Sequence, residues 1–578
     1  MSKGVLALAL LFSSALLTEG IRLSPQSPSV QERLGLVIPM RDGVHLAADL
    51  SLPRGMGPWP TLLVRTPYSR KAPGARSYRF FAQHGYAVLI QDVRGRYASQ
   101  GVFGATQQQG PDANDTINWI AEQSWSNGRV AMGGGSYLGM VQWWAAIQDN
   151  PHLLAISPVF SGDDEYLDRF YSSGGALKIG HRLLWVAENF TPPSQLPPPF
   201  GSYIYHLPLR TADLAAIGMP LPLWRTALDH PSYDDYWKSL SIRQQLNRIS
   251  VPVLSIGGWF DNYGESDLDA FSRLSSRARI IETWIGPWAH NPALKFPTRN
   301  FGPAARIGIR LTQLDWFDRW VKKAAPHGTN ESSAPLLHIF VMGPNIWREE
   351  REWPLARTHY TPLYLDSKGR ANSASGDGRL QWRPVRKAQA DAFTYDPKRP
   401  VPTIGGAICC EVKILPPGPL DQTPIEGRRD ILVYTSSPLT QDIEVTGPVR
   451  LVLYAATSAN DTDFTAKLVD VHPDGQSLLV TDGIQRLRYR ASLSNPVFVK
   501  RNTRYQINVS AGVTSYVFAA GHKIRLEVSS SNFPRFDRNL NSTRPNALET
   551  KLAKAHQTVF HDQHYPSAII LPIIPEKQ

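Results

Sequence analysis

The chain has 578 residues, a formal net charge of +12 and only two cysteines, Cys409 and Cys410, which are adjacent. A chain of this length can bury several cores without covalent staples, so a small disulfide-framework protein is excluded. The basic excess is spread along the chain with no long Lys/Arg block, which argues against a nucleic-acid partner; its densest stretch, residues 485–490 (QRLRYR), reads as one alternating strand face. At the N-terminus, Lys3 and the apolar run 5–17 read as a signal peptide ending near Gly20, an uncleaved anchor being the alternative. The run is too short to span a bilayer, and no later segment is long and apolar enough to do so. A secreted or periplasmic protein is therefore expected, with no stable membrane insertion after signal removal.

Residues 21–155 alternate strand and helix signals. Residues 36–40 and 45–52 flank Arg41-Asp42-Gly43-Val44 as a hairpin, and 61–64 and 87–90 are continuous apolar runs, as central strands covered on both faces require. Residues 129–132 form a further short strand, and 140–147 (MVQWWAAI) a packed helix. From 156 to 245 Tyr, Trp, Leu and Pro dominate and strands are hard to find, so this stretch reads as an inserted, mostly helical cap. The α/β pattern resumes over 246–355, with strands at 251–256 and 278–285 and a closing amphipathic helix at 313–323. Beyond 356, helix signals nearly vanish and short strands separated by turns such as Pro473-Asp474-Gly475 indicate an all-β sandwich or jelly roll over 356–578.

The most informative turn is Gly133-Gly134-Gly135-Ser136-Tyr137-Leu138-Gly139, between the strand at 129–132 and the helix that follows. A serine on a sharp strand-to-helix turn projects its hydroxyl above the sheet, and the helix N-terminus beneath it stabilises negative charge. Acyl transfer from such a serine needs a base, an acid to orient the base, and oxyanion donors. Asp261 lies in the loop after the strand ending at Ile256, and His290 in the loop after the strand ending at Ile285, which is the chain order Ser, Asp, His of α/β-hydrolases. One oxyanion donor is expected from the Tyr137 N–H. Tyr68, in Arg65-Thr66-Pro67-Tyr68, offers a phenolic O–H for the second, although spacing alone leaves it equally a packing residue.

These residues carry a resemblance. The form G-x-S-Y-x-G around Ser136, R-x-P-Y at Tyr68, Asp92, Arg94, Gly95, Ser99 and Gly101 in D-x-R-G-x-x-x-S-x-G, Phe260-Asp261 and G-P-W-x-H at His290 resemble the CocE/NonD serine hydrolases. That family includes cocaine esterase, the α-amino-acid ester hydrolases and the X-Pro dipeptidyl-peptidases. His230-Pro231-Ser232-Tyr233 in the cap and Ser529-Ser530-Ser531-Asn532-Phe533-Pro534 in the β region extend the likeness over nearly the whole chain. The resemblance implies an α/β-hydrolase fold with an inserted helical cap and a C-terminal jelly roll. It implies Ser136, Asp261 and His290 as the triad, and Tyr68 with the Tyr137 amide as the oxyanion hole. No metal or organic cofactor is implied.

Substrate is less legible. The α-amino-acid ester hydrolases hold an ammonium with acidic residues just after the catalytic Asp; here Asn262-Tyr263-Gly264 follow, so that part is missing. Asp163 and Asp164 at the cap start, Tyr166, and the loop tryptophans Trp259 and Trp288 are candidate substrate contacts, with a helix start as the plainer role for the acidic pair. The cap aromatics Phe170, Tyr171, Trp185 and Trp224 are candidates for an acyl pocket or for core. The resulting expectation is an exported esterase acting on a small ester, amide or short peptide, with an X-Pro dipeptidyl-peptidase or an α-amino-acid ester hydrolase as alternatives. A polysaccharide- or surface-binding protein with a vestigial hydrolase is the non-enzymatic alternative, and a homo-oligomer is left open.

Overall fold

The computed structural model describes residues 30–104, 106–192, 194–322, 334–409 and 412–575. The signal segment 1–20, Lys323 at the end of the expected closing helix, and Cys410 lie outside the described residues. Among the described residues no helix is long and apolar enough to cross a membrane.

Ten strands form the first sheet: β1 (Gln31–Pro39), β2 (His45–Leu52), β3 (Trp59–Thr66), β4 (Ala87–Asp92), β5 (Ser126–Gly135), β6 (Leu153–Val159), β7 (Val253–Gly258), β8 (Ile281–Gly286), β9 (Leu336–Val341) and β10 (Ile346–Glu350). Their spatial order is β1-β2-β4-β3-β5-β6-β7-β8-β9-β10. The run from β4 through β9 is parallel, with an antiparallel hairpin at each edge. Strand alternation divides the apolar residues between two cores, one on each face. Leu63, Leu89 and Met132 enter one, and Leu62, Val64, Val88, Ile90 and Ala131 the other. This is why β3 and β4 read as unbroken apolar runs.

β6 continues to Val159, past the position where the sequence places the start of the cap. Ser157 and Pro158 break its apolar run, and a proline argues against a central strand. The protein supplies what the ladder lacks: Gln142 accepts the Ser157 N–H at 2.9 Å. The mostly helical insert between β6 and β7 includes the helices Ile179–Phe190, Ala212–Ile217 and Pro222–Asp229. The closing helix runs from Ile309 to Phe317 and tightens into a π-type turn over Asp318–Lys322.

The C-terminal part is an all-β domain of eleven strands, almost entirely antiparallel, in which the long strand Ile443–Thr457 pairs with Tyr505–Phe518, Ala555–Phe560 and Ala568–Ile573. The stretch 485–490 is not one strand face. The strand ends at Arg486 and a 3-10 turn follows over Leu487–Tyr489. Two of its arginines point inward: Arg486 pairs with Asp463 at 2.9 Å and Asp537 at 2.8 Å, and Arg488 with Asp461 at 2.8 Å. Buried arginines with two-oxygen partners look like surface charge in sequence, because only the fold brings the aspartates to them. The same region holds the cap. Arg486 N–H donates to Gly174 O at 2.9 Å, Asp537 accepts the Leu177 N–H at 2.9 Å, and Tyr489 donates to Pro231 O at 2.9 Å.

Candidate active site

Parallel strands place all their carboxyl ends on one edge, and the loops after β3, β5, β7 and β8 carry Tyr68, Ser136, Asp261 and His290. Ser136 sits between β5 and the helix Tyr137–Ala146 with φ 59° and ψ −124°. Such a backbone costs about 1–3 kcal/mol and persists only when the surroundings hold it. Here the Ser136 N–H donates to Val159 O of β6 at 2.8 Å. The motif's spacing follows from packing. Gly134 has φ +145°, and a Cβ there would lie 2.5 Å from the Leu138 Cβ; a Cβ on Gly139 would lie 2.4 Å from the Ser161 Cβ. Glycine is thus required at 134 and 139, whereas Leu138 is packed into a core. Gly139→Ala is expected to destabilise the protein by about 1–2 kcal/mol, because overpacking costs about 1–3 kcal/mol and outweighs at most about 1 kcal/mol of helix propensity. A thermal melt of the variant checks this.

His290 Nδ1 lies 2.9 Å from Asp261 Oδ1, with Asp261 3% exposed. A buried carboxylate at Nδ1 fixes the imidazole so that Nε2 is the basic nitrogen. The ring is held between Tyr263, with centroids 5.4 Å apart, and Phe160, 6.0 Å apart. On the other side, Trp185 Nε1 donates to the Tyr68 hydroxyl at 3.2 Å. An indole N–H can only donate, so the Tyr68 oxygen accepts and its own proton is available to an oxyanion. Tyr137 is the first residue of its helix, where an N–H has no intrahelical acceptor. The D-x-R-G segment braces this edge: Arg70 pairs with Asp92 and Asp49, Arg94 with Asp112 and Asp42, and Ser99 donates to Asp92 O at 2.7 Å.

A narrow cavity of about 20 Å³ is lined by Ser136, Tyr68, Tyr137, Glu165, Arg169, His181, Arg182, Trp185, Tyr263 and Cys409 among others. Its charges are internal to the cap. Arg169 donates to Glu165 at 2.5 Å and to Ser161 O at 3.1 Å. Burial, then the cations Lys178, Arg182 and Arg169, hold the His181 imidazole well below its usual pKa, so it is neutral. In the unfolded chain it titrates near pH 6.5, so below that pH the unfolded state binds a proton that the folded state refuses, and stability falls on acidification. His181→Phe is expected to flatten that loss by up to about 1.4 kcal/mol per pH unit, read from melting temperatures between pH 6.5 and 5.

The five candidate substrate contacts lie elsewhere, which corrects that expectation. Asp163 binds Arg243 at 2.9 Å behind the site. Asp164 caps the turn Glu165–Phe170, accepting the Leu167 N–H at 2.9 Å, and also accepts from Tyr233 and Ser241. Tyr166 is fully buried, stacked on Tyr171 and donating to Pro231 O at 3.0 Å. Trp259 donates to Phe340 O at 2.8 Å and Trp288 to Ala305 O at 3.0 Å, so both anchor loops rather than face the cavity. A separate cleft behind Asp261 is lined by Asp168, Lys178, Arg243, Glu265, Asp482 and Arg535 and does not include Ser136. Sequence reading passed over His181 and Arg182, although His181 and Trp185 are four residues apart on one helix and therefore share a face.

The fold and this site define a serine hydrolase: an α/β sheet with a cap over the serine and an all-β C-terminal domain. Residues 42–292 match the family model of the X-Pro dipeptidyl-peptidases (S15 family), and residues 325–570 match the X-Pro dipeptidyl-peptidase C-terminal non-catalytic domain. Cocaine esterase of Rhodococcus sp. (strain MB1 Bresler) is 38% identical over 571 residues, covering 93% of this chain and 98% of that protein. An α-amino-acid ester hydrolase structure aligns with TM-score 0.81 at 26% identity, over 96% of this chain and 98% of that one. An aminopeptidase from a marine sediment archaeon, Thaumarchaeota archaeon, aligns with TM-score 0.82 at 26% identity, over 96% and 99%. The chain belongs to the S15 family of serine hydrolases, in the CocE/NonD group that includes cocaine esterase.

Proposed function

We propose that this protein is an exported carboxylic ester hydrolase that works through an acyl-enzyme on Ser136. In this reading the Ser136 hydroxyl attacks the ester carbonyl while His290 Nε2 takes its proton. Asp261 holds the imidazolium through Nδ1–H, and the Tyr68 hydroxyl and Tyr137 N–H receive the oxyanion. Collapse expels the alcohol, protonated by His290. Water, deprotonated by the same imidazole, then releases the acid and restores Ser136. The observation that carries this reading is the His290–Asp261 contact at 2.9 Å on the same sheet edge as the cavity that Ser136 shares with Tyr68.

The cavity's charge favours an ester over an X-Pro dipeptide or an α-amino-acid ester. Those substrates present a free ammonium, which needs an unpaired carboxylate. Among the described residues the carboxylate that lines the cavity, Glu165, is engaged by Arg169, while Asp163, paired with Arg243, and Asp164, held by Ser241, do not line it. The cocaine esterase relative points the same way. The charged start and apolar run of residues 3–17 support export. A hydrolysis panel of p-nitrophenyl esters, aminoacyl esters and X-Pro amides tests the reading. Simple esters are expected to be cleaved fastest, and preference for a free α-amino group overturns it.

A further inference from the structure

Arg182 lies on the cap helix Ile179–Phe190, lines the cavity above Ser136, and is 6% exposed. Its neighbours are rings: the guanidinium carbon sits 4.2 Å from the Phe170 centroid and 4.5 Å from the Trp185 centroid. Its Nε is buried without an acceptor, and among the described residues it forms no ion pair. The other cap arginines here are answered: Arg169 by Glu165, and Arg243 by Asp163. A buried guanidinium stays charged, and burying it unpaired is costly, so folded proteins place one this way where a partner is to arrive. Burial pulls its pKa down and the Glu165 charge pushes it back up; a guanidinium stays protonated in either case. The two rings fix the plane of the fork before a ligand binds, which lowers the ordering cost of binding.

We propose that Arg182 is the anion-binding residue of the substrate cavity, so that the preferred ester carries a carboxylate beyond its scissile bond. The proposal rests on the ester-hydrolase reading above and names its substrate class. Glu165 does not cancel the site, because its carboxylate is engaged by Arg169. The cavity-lining side chains Glu165, Arg169 and Arg182, with neutral His181, therefore leave an excess of one positive charge. Trp185 links the two halves of the site: one face of the indole stacks on Arg182 while its N–H holds the Tyr68 hydroxyl. A carboxylate docked on the guanidinium is thereby held in register with the oxyanion donor.

The test compares charged esters with neutral isosteres on the full-length protein. Monoethyl glutarate carries the carboxylate on the acyl side, and 3-acetoxypropanoate carries it on the alcohol side; their primary-amide counterparts are the controls. With p-nitrophenyl butyrate as a neutral reference, the wild type is expected to favour at least one carboxylate ester over its amide by about a hundredfold or more in kcat/KM. Whichever pair shows the preference assigns the side. Arg182→Met is expected to bring that ratio close to one, whatever its effect on the neutral reference, and Arg182→Lys to retain part of the ratio. Circular dichroism and a thermal melt show whether Arg182→Met folds; if it does not, Arg182→Lys against Arg182→Gln decides the matter. Equal rates on acid and amide esters in the wild type, or a ratio unchanged by loss of the guanidinium, overturn the proposal alone. Failure of the wild type to hydrolyse any ester, including the reference, overturns it together with the ester-hydrolase reading.

Discussion

Ser136→Ala is expected to lower ester hydrolysis by about 10⁴- to 10⁶-fold and to abolish labelling by a fluorophosphonate probe, with the melting temperature little changed. The size of the effect follows from the chemistry. Without the hydroxyl there is no acyl-enzyme, and His290 has no proton to take; what remains is binding and the oxyanion donors acting on water. The fold should survive because the turn is held by backbone, through the Ser136 N–H to Val159 O, and by the glycines on either side. Alanine does inherit the positive φ, so a small loss of stability is expected rather than a gain. Wild-type protein that fails to label sinks the nucleophile assignment. Labelling that persists in Ser136→Ala places the reactive group elsewhere.

Tyr68→Phe is expected to reduce kcat by about 10²- to 10³-fold, or about 3–4 kcal/mol of transition-state stabilisation, with a smaller change in KM. In the proposed mechanism the phenolic proton faces charge that exists only in the tetrahedral state, so its loss is expected to weigh on the rate more than on binding. Trp185→Phe removes the N–H that donates to the Tyr68 oxygen at 3.2 Å. Its expected cost is about 3- to 10-fold, the worth of one neutral hydrogen bond. The two changes should not add: once the hydroxyl is gone, nothing remains for the indole to orient, so Trp185→Phe in the Tyr68→Phe background should cost little further. Full additivity in that double-mutant cycle refutes the positioning role. An unchanged kcat in Tyr68→Phe refutes the oxyanion role outright.

Much of this arrangement was readable from residues alone, and the reasons are local. Continuous apolar runs at 61–64 and 87–90 identify strands covered on both faces, and the loops that follow them are where an α/β sheet keeps its chemistry. Ser136, Asp261 and His290 each follow such a strand, in a chain order that few other folds share. β6 was harder, because Ser157 and Pro158 interrupt its pattern and its missing ladder bonds are met by Gln142, fifteen residues earlier in the chain. The substrate contacts failed for a related reason. Asp163, Asp164, Tyr166, Trp259 and Trp288 are all near the site in sequence, but a side chain on a short turn or loop can face either way. Theirs face capping N–H groups, Arg243 and backbone carbonyls instead of the cavity.

The sequence by itself therefore determined the class of fold and the order of the candidate triad, since both are written in local periodicity and in loops that follow strands. Tertiary structure alone decided what surrounds the serine. Trp185 meets Tyr68, and Glu165 is engaged by Arg169 while Arg182 lies between two rings and, among the described residues, forms no ion pair. Those outcomes depend on how the cap helix packs over the sheet edge. Whether a buried charge is paired or waiting is a matter of a few ångströms between segments distant in the chain, and no spacing along the chain encodes it.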